Sequence, residues 1–306
     1  MKPIYLFAVL AALAVAPWFV DSRYIYHIAT MIVIMIPMAL TLSLMMRIGQ
    51  LSIAHPAFMG IGAYAAALLT MRLGWPPLLS LISGSLIAGV IALVLGPIFL
   101  RIKGVYFVLL TYAFGEIVNL IFQEWTGLFG GNSGLYGIPK FSILGFRLTA
   151  VQHYYLFGII FCVAIYSLMR AIERSDAGAI LRALNDDEML SRSLGANALS
   201  WRIAVFTLGA LVAGFSGGIY AFYIGFLSPD PFGFRASVDL IVINAIGGTS
   251  SMLGPLLGTI FIIPLPELLR DARQYQLLVY GICLIGFLMF FRQGLVSIVE
   301  RRRTAR

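Results

Sequence analysis

Residues 77–100, PLLSLISGSLIAGVIALVLGPIFL, contain no charged side chain. A helix needs about 20 such residues to cross the apolar layer of a membrane, so this stretch predicts a membrane-spanning helix. Comparable apolar runs recur along the chain, at 4–20, 24–46, 51–70, 105–123, 151–170, 202–226 and 274–292. Together they predict about eight spans.

The overall composition supports the same fold class. The 306 residues are 60% hydrophobic and 11% charged, with a mean hydropathy of +0.95. Soluble domains carry about 25% charged residues, and a soluble core of this length could not bury so many apolar side chains. We therefore predict an all-α, polytopic integral membrane helical bundle that forms a single domain over residues 1–306, with no soluble enzyme attached.

A further apolar stretch, 237–265, is interrupted at 247–251 and again at Gly254 and Pro255. Paired glycines, hydroxyl residues and a Gly-Pro step are poor material for a continuous helix. Each half is short for a full crossing. We expect a broken or re-entrant helical pair that is packed inside protein, while two full crossings remain an alternative.

The net charge of +8 is explained by membrane topology. If the N-terminus is cytoplasmic and 237–265 is re-entrant, fourteen of the 21 Lys and Arg residues fall on the cytoplasmic side. The positive-inside rule then places both termini in the cytoplasm of a multi-pass protein of the bacterial inner membrane. No basic stretch is interleaved with exposed aromatics, so we expect contact with membrane lipid and not with nucleic acid.

Two loops are distinctive. The predicted outer loop, about 124–150, is rich in glycine, whereas the predicted inner loop, about 171–201, holds most of the mixed charge. Within the inner loop, 177–194 has the spacing of an amphipathic helix, and Gly195 is a natural helix stop. Such a helix could dock into a partner's groove, lie along the membrane surface, or be an ordinary solvated helix.

The segment 49–58, GQLSIAHPAF, combines a helix breaker with polar side chains. Pro56 has no N–H, so the carbonyl of Ser52 loses its helical partner. One interpretation is a broken helix that lines a pathway. The other is a helix start with Ser52 as the cap and a kink at Pro56. The candidate pathway residues are Gly49, Gln50, Ser52, His55 and Phe58.

The apolar run 105–123 carries a polar stripe. At about 100° per residue, four polar side chains fall on one helical face, namely Tyr112, Glu116, Asn119 and Gln123. Exposing an acid to lipid costs at least ~2.5 kcal/mol, so we expect Glu116 to face the protein interior. The alternative role for the stripe is hydrogen bonding between helices.

The interruption at 244–255, NAIGGTSSMLGP, is the second candidate for a pathway. Unwound backbone at membrane depth is tolerated where it lines a cavity, although an inter-helix turn near the membrane surface is the alternative. The candidate residues are Asn244, Gly247, Gly248 and Thr249. We expect the segments 49–58 and 244–255 to approach each other along one route.

Motifs of soluble catalysis do not occur in the sequence. A phosphate-binding Gly-x-x-x-x-Gly-Lys-Ser/Thr loop, His-Glu-x-x-His and Gly-x-Ser-x-Gly are all missing. The three histidines are far apart, and Cys162 and Cys283 each lie within an apolar run, so no metal site is expected. We predict that the chain is not an enzyme and binds no cofactor; if ATP drives it, another chain binds the ATP.

Several segments resemble a known family, the permease subunits of branched-chain amino acid ABC importers of the LivM type. The most specific likeness is the segment 49–58 followed by GIGAY at 60–64. Weaker likenesses follow in the same order along the chain, from about residue 30 to 295: KGVYF at 103–107, GLYGIP at 134–139, SLG at 193–195 and GGTSSMLGP at 247–255.

The resemblance implies an ATP-driven importer of branched-chain or related small amino acids. Its partners would be a second, LivH-like permease subunit, two ATP-binding subunits that hold ATP and Mg²⁺, and an extracytoplasmic substrate-binding protein. The inner loop would couple to the ATP-binding subunits through Arg182, Asp186, Asp187, Glu188, Arg192 and Gly195.

Two departures from the family pattern and two alternatives accompany this expectation. Importer permeases often dock their ATPase through a Glu-Ala-Ala…Gly loop, but here the equivalent stretch is Met189-Leu190-Ser191. The second departure is Pro56, at a position where the family commonly has a small residue.

Related permeases carry urea, short amides or aromatic acids. A different class, an ion-coupled secondary carrier, would use the intramembrane acids Glu116 and Asp239.

Overall fold

The computed structural model describes residues 22–143, 146–186, 191, 197–249, 251–268, 275–290 and 295–296. The helices in this part of the chain are α1 (Arg23–Arg47), α2 (His55–Leu73), α3 (Pro77–Phe99), α4 (Val105–Glu124), α5 (Thr126–Phe129), α6 (Val151–Arg174), α7 (Asp176–Asp186), α8 (Ala198–Ile224), α9 (Phe234–Gly247), α10 (Leu253–Ile262), α11 (Pro264–Leu268) and α12 (Gln276–Phe290). Short strands are β1 (Leu135–Tyr136), β2 (Ser142–Ile143), β3 (Phe146–Arg147) and β4 (Phe226–Leu227).

Six of these helices, α1 to α4, α6 and α8, are long and apolar enough to cross a membrane. Each coincides with one of the predicted apolar runs, which confirms the all-α membrane bundle. The first predicted run, 4–20, lies outside the described residues. The last, 274–292, contains α12, of which 15 residues, mostly apolar, are described.

The centre of the bundle is a crossing of α2, α3 and α8 in which backbone touches backbone. A Cβ added to Gly62 would collide with the carbonyl group and Cα of Gly214, and one added to Gly217 would collide with the carbonyl oxygen of Met59. A Cβ on Gly84 of α3 would lie 2.6 Å from the carbonyl oxygen of Gly62. Small residues at these positions allow the three helices to approach closely.

The helix α1 runs through the interior beside this crossing. It contacts α6, α8, α9 and α10, and most of its side chains are buried. Pro37 lies inside α1, where it removes a backbone donor. Thr41 Oγ1 donates to the carbonyl oxygens of Pro37 (3.2 Å) and Met38 (3.0 Å), so it satisfies acceptors in the same turn.

The apolar stretch 237–265 is divided between α9 and α10, as its glycines predicted. The 14 residues of α9 extend about 21 Å, which is less than the ~30 Å apolar layer. Gly248 ends α9 with φ of 91°, a conformation that favours glycine. The two helices then pack closely, since a Cβ on Gly247 would collide with the backbone of Gly254 and one on Gly258 with the carbonyl oxygen of Ile243.

The predicted outer loop is more ordered than its glycine content indicated. Strand β1 pairs antiparallel with β4, and β2 pairs with β3. Tyr154 at the start of α6 accepts a hydrogen bond from Phe141 N (2.9 Å) and donates one to the carbonyl oxygen of Phe222 (3.0 Å). The loop is thereby fastened to the end of α8. Sequence analysis missed the pairing of β1 with β4 because the two strands are about ninety residues apart in the chain.

The glycine crossing generates a stability prediction. Gly62→Ala should lower the melting temperature of the purified protein by several degrees, because the new methyl group must separate two backbones; overpacking of this kind costs about 1–3 kcal/mol. Gly115→Ala is the matched control, since nothing lies within 4 Å of that Cβ position on α4. Equal melting temperatures for the two variants would contradict the crossing.

Candidate functional site

Non-helical backbone joins α1 to α2 inside the protein. Residues 48–54 are not helical, Gly49 has φ of 74°, and the side chains of Gln50 and Ser52 are buried. Pro56 falls in the first turn of α2, where its missing N–H costs no helical bond. The helix start of the second interpretation is therefore observed, at His55, but its cap is Ala54 without a capping side chain and Pro56 does not kink the helix. That residues 49–58 line a pathway stays a prediction.

Neighbouring helices satisfy the backbone of this segment. Ile53 N donates to Thr111 Oγ1 of α4 (3.2 Å), and Ser237 Oγ of α9 donates to the carbonyl oxygen of Ile53 (2.8 Å). Buried irregular backbone persists only when such partners exist, because no water reaches the apolar layer to replace them. The segment is thus held between α4 and α9.

Several buried polar atoms close to these segments have no hydrogen-bond partner within the described residues. They are Gln50 Oε1, both ring nitrogens of His55, and Asn244 Oδ1. Asn244 uses its Nδ2 to donate to the carbonyl oxygen of Leu240 (2.9 Å), and His55 Nε2 would lie 2.9 Å from a Cβ on Gly209. Unpaired buried polar groups are costly, so these atoms are available to bond to a polar ligand.

The other predicted route residues have packing roles. The ring of Phe58 lies against Phe114 and Phe206, with centroid distances of 5.2 and 5.4 Å. Gly247 and Gly248 form the close contact between α9 and α10. These three positions shape the interior and present no polar side chain to it.

Arg47 connects the two unwound segments at the predicted cytoplasmic end. Its Nε donates to the carbonyl oxygen of Thr249 (2.8 Å), and its Nη1 pairs with Glu173 Oε1 (2.8 Å) at the end of α6. Together with the Ser237–Ile53 bond, this contact brings the segments 49–58 and 244–255 to one region. Sequence analysis missed this role because Arg47 carried only a topological signal there.

A cavity of about 420 Å³ opens beside Arg47. It lies between the ends of α1 and α6, the helix α7, and the turn at Thr249. Its lining residues are Leu44, Met46, Arg47, Ile48, Ile172, Glu173, Gly178, Leu181, Arg182, Asn185 and Thr249. Ser52 is buried away from it, so a cavity shared by Ser52 and Thr249 stays a prediction.

The inner loop forms the predicted amphipathic helix over 176–186. Leu181 and Leu184 are buried, while Arg182 is exposed and donates from Nη1 to the carbonyl oxygen of Glu173 (2.9 Å). The remaining predicted coupling residues Asp187, Glu188, Arg192 and Gly195, with the side chain of Asp186, lie outside the described residues.

The polar stripe of α4 divides into two parts. Gln123 Nε2 donates to Asn119 Oδ1 (2.9 Å), and Asn119 packs beside Gly233, so this part bonds within the protein. Tyr112 is 38% exposed and contacts the ring of Phe234. Glu116 is half-buried and makes no hydrogen bond or ion pair within the described part of the chain.

Among the residues that the structure describes, no three His, Cys, Asp or Glu side chains lie close enough to hold a metal ion. Asp239 accepts a hydrogen bond from the Tyr280 hydroxyl (3.0 Å), which links α9 to α12. The chemistry available is therefore weak polar contact along an apolar interior.

Six helices long and apolar enough to cross a membrane, with buried irregular backbone between them, define a polytopic membrane protein, and comparison with known proteins gives its family. Residues 24–291 match the permease component of branched-chain amino acid transport systems, and the chain belongs to that family. It is a permease subunit of an ABC importer, as the resemblance in sequence indicated.

Curated relatives agree with this assignment. The chain is 31% identical to the high-affinity branched-chain amino acid transport permease LivM of Escherichia coli, over 95% of this chain and 74% of that one. It is 30% identical to LivM of Salmonella typhimurium, over 98% and 76%. It is also 26% identical to the fructose import permease FrcC of Rhizobium meliloti, over 67% and 59%. No solved structure matches the chain.

The unpaired nitrogens of His55 generate a prediction. His55→Leu should leave the melting temperature unchanged or raise it, because the change removes two buried groups that lack partners. Asn119→Leu, which leaves Gln123 without its acceptor, should lower the melting temperature by contrast. Thermal unfolding of the two purified variants checks this, and a clearly destabilised His55→Leu would show that the ring is bonded.

Proposed function

We propose that this subunit carries branched-chain or related aliphatic amino acids into the cytoplasm. The observation that supports this most directly is the buried polar pair at the junction of α1 and α2: Gln50 in the unwound segment 48–54 and His55 at the start of α2, both within an apolar interior. A zwitterion with an apolar side chain needs weak polar contacts along its route, because a tight site would prevent its release. The names of the LivM relatives point to the same substrate class.

Other substrates of similar size define the alternatives. The fructose permease among the relatives supports a sugar as the second candidate, since hydroxyl groups could also bond to Gln50 and Asn244. Urea, short amides and aromatic acids are further candidates within the superfamily. An extracytoplasmic binding protein selects among them in this proposal, so the permease route needs little selectivity of its own.

ATP hydrolysis belongs to partner subunits that dock on α7. The helix lies at the end that carries most of the basic residues, which the proposal assigns to the cytoplasm of the inner membrane, together with both termini. The helix α7 closely follows Glu173 in the chain. Glu173 is paired with Arg47, and Arg47 donates a hydrogen bond to the carbonyl oxygen of Thr249. Movement of α7 is thus transmitted to the broken helical pair through one side chain.

A second permease subunit covers the face formed by α4, α9 and α12. This face carries Tyr112, Glu116 and Arg235, and beside them Asp239 is bonded to Tyr280. Ionisable groups at membrane depth are costly in lipid, so a protein or water surface must lie against them. The surface is consistent with a subunit interface that borders the substrate route.

Reconstitution tests the proposed function. The complete transporter, with its ATP-binding subunits and its binding protein, should accumulate L-leucine in proteoliposomes when ATP is supplied on the cytoplasmic side. Fructose in place of leucine tests the second candidate. Uptake of fructose without uptake of branched-chain amino acids would overturn the proposal.

Docking of the ATP-binding subunits on the inner loop generates a second prediction, which is tested with the same reconstituted transporter. Reversing the charges with Asp187→Lys and Glu188→Lys should reduce ATP-dependent uptake roughly tenfold, because like charges across a docking surface oppose assembly. Arg101→Glu is the control, an exposed charge reversal at the same end but outside the loop. Normal uptake by the loop variant would show that the inner loop is not part of the docking surface.

The position of Glu116 makes a third prediction. Glu116→Leu should reduce assembly of the permease pair or uptake severalfold, since it removes an acid that the partner or the route accommodates. Glu124→Leu, an exposed acid at the outer end of the same helix, should behave as wild type. Co-purification yield and uptake rate are the two measurements. A Glu116→Leu variant that is more stable and fully active would place the residue against lipid.

A further inference from the structure

We infer that the cavity beside Arg47 is a binding site for the transported amino acid on the cytoplasmic side, where it acts as a product-sensing site. The inference rests on the proposed function for the identity of the ligand. The cavity's volume of about 420 Å³ lies within the ~300–1,000 Å³ typical of small-molecule sites.

The charges on the cavity wall are complementary to a zwitterion. Glu173 Oε1 is already paired with Arg47 Nη1 (2.8 Å), but the buried Nη2 of Arg47 has no hydrogen-bond partner within the described residues. Arg47 Nη2 and Arg182 can therefore donate to a carboxylate, and the second oxygen of Glu173 can accept from an ammonium group. An arginine has five N–H donors, and the Nη1 of Arg182 makes one described bond, to the carbonyl oxygen of Glu173. The carboxylate of Glu173 in the same lining disfavours a phosphate, which carries no cationic group to pair with it.

The apolar part of the wall is suited to an aliphatic side chain. It is formed by Leu44, Met46, Ile48, Ile172 and Leu181. The paired backbone charges distinguish an amino acid from a sugar, and an uncharged aliphatic side chain distinguishes leucine from lysine or glutamate; the lining offers contacts for both features. The class of ligand is therefore a neutral amino acid with an apolar side chain.

The cavity opens on the predicted cytoplasmic side and is separate from the buried segment at Gln50 and His55. Below it, α1 is packed, with Leu40 and Met45 fully buried. An amino acid in the cavity would therefore come from the cytoplasm and not from the route. The site reports product that has already been transported.

A ligand in the cavity would contact α7 and the turn at Thr249 at the same time, and so restrict the movement of α7. Its wall combines α7, through Gly178, Leu181 and Arg182, with the turn at Thr249. A Cβ on Gly178 would collide with the carbonyl oxygen of Ile172, so α7 is folded tightly onto the end of α6. A ligand that bridges these walls holds α7 against α1, and the coupled ATP hydrolysis slows as cytoplasmic product accumulates.

Direct binding tests the site. Tritiated L-leucine is added to the complete permease and ATPase complex in nanodiscs, without binding protein and without nucleotide. We expect saturable binding that L-valine displaces and that acetate or isobutylamine, each with a single charge, does not. Arg182→Gln should weaken binding roughly tenfold, because a charge-assisted contact to the carboxylate is lost.

Two control variants locate the ligand. Arg174→Gln removes an exposed arginine beside Glu173 that does not line the cavity, and it should bind leucine as wild type does. Arg101→Gln removes another exposed arginine at the same predicted end that does not line the cavity, and it should also bind as wild type. Equal binding by Arg182→Gln and wild type, or an equal loss of binding in all three variants, would overturn the inference.

Regulation is measured on inside-out proteoliposomes, where the cytoplasmic face is accessible. Added L-leucine should lower the rate of ATP hydrolysis in wild type and in Arg174→Gln, and the ratio of rates with and without leucine should approach one in Arg182→Gln. If leucine is taken up in the reconstituted system but neither binds here nor slows hydrolysis, the sensing site alone fails. If leucine is not transported at all, the proposed substrate fails instead.

Discussion

The close contact between the backbones of α2, α3 and α8 is the constraint on which the remaining architecture depends. In lipid there is no hydrophobic force to drive helices together, so association relies on van der Waals contact and hydrogen bonds. Gly62, Gly214 and Gly217 provide that contact by letting main-chain atoms meet directly. Larger residues there would separate the helices and remove the frame that holds α1 in the interior.

This crossing also determines where the unwound backbone lies. Because α2 meets α8 near its own start, His55 reaches the level of Gly209, well inside α8. The preceding residues must then pass through the interior without helical bonds, and Thr111 and Ser237 bond to the main chain of Ile53. A costly stretch of backbone is thus stabilised by two helices that also border the proposed route.

Arg47 gives the two ends of the proposed mechanism a physical link. Its guanidinium binds Glu173 and the turn at Thr249 at the same time, so the end of α6, next to the inner loop, and the broken helical pair share one side chain. Both contacts have donor–acceptor distances of 2.8 Å, and the planar, always charged guanidinium holds two directions at once. A lysine at this position would provide a charge but not this fixed geometry.

The sequence by itself determined the class of fold, the position of most helices, the break in 237–265 and the amphipathic helix at 176–186. These follow from local properties: apolar length, glycine and proline content, and charge periodicity. The family was also identifiable from the order of its short segments.

Only the tertiary structure decided which polar groups meet. Arg47 pairs with Glu173 and Thr249, and β1 pairs with β4, although these residues lie far apart in the chain. The half-buried position of Glu116 likewise depends on which elements pack against α4. Helical periodicity assigns a side chain to a face but does not say which element covers that face. That choice depends on the helix crossings, where a few glycines allow one packing arrangement and main-chain collisions exclude the others.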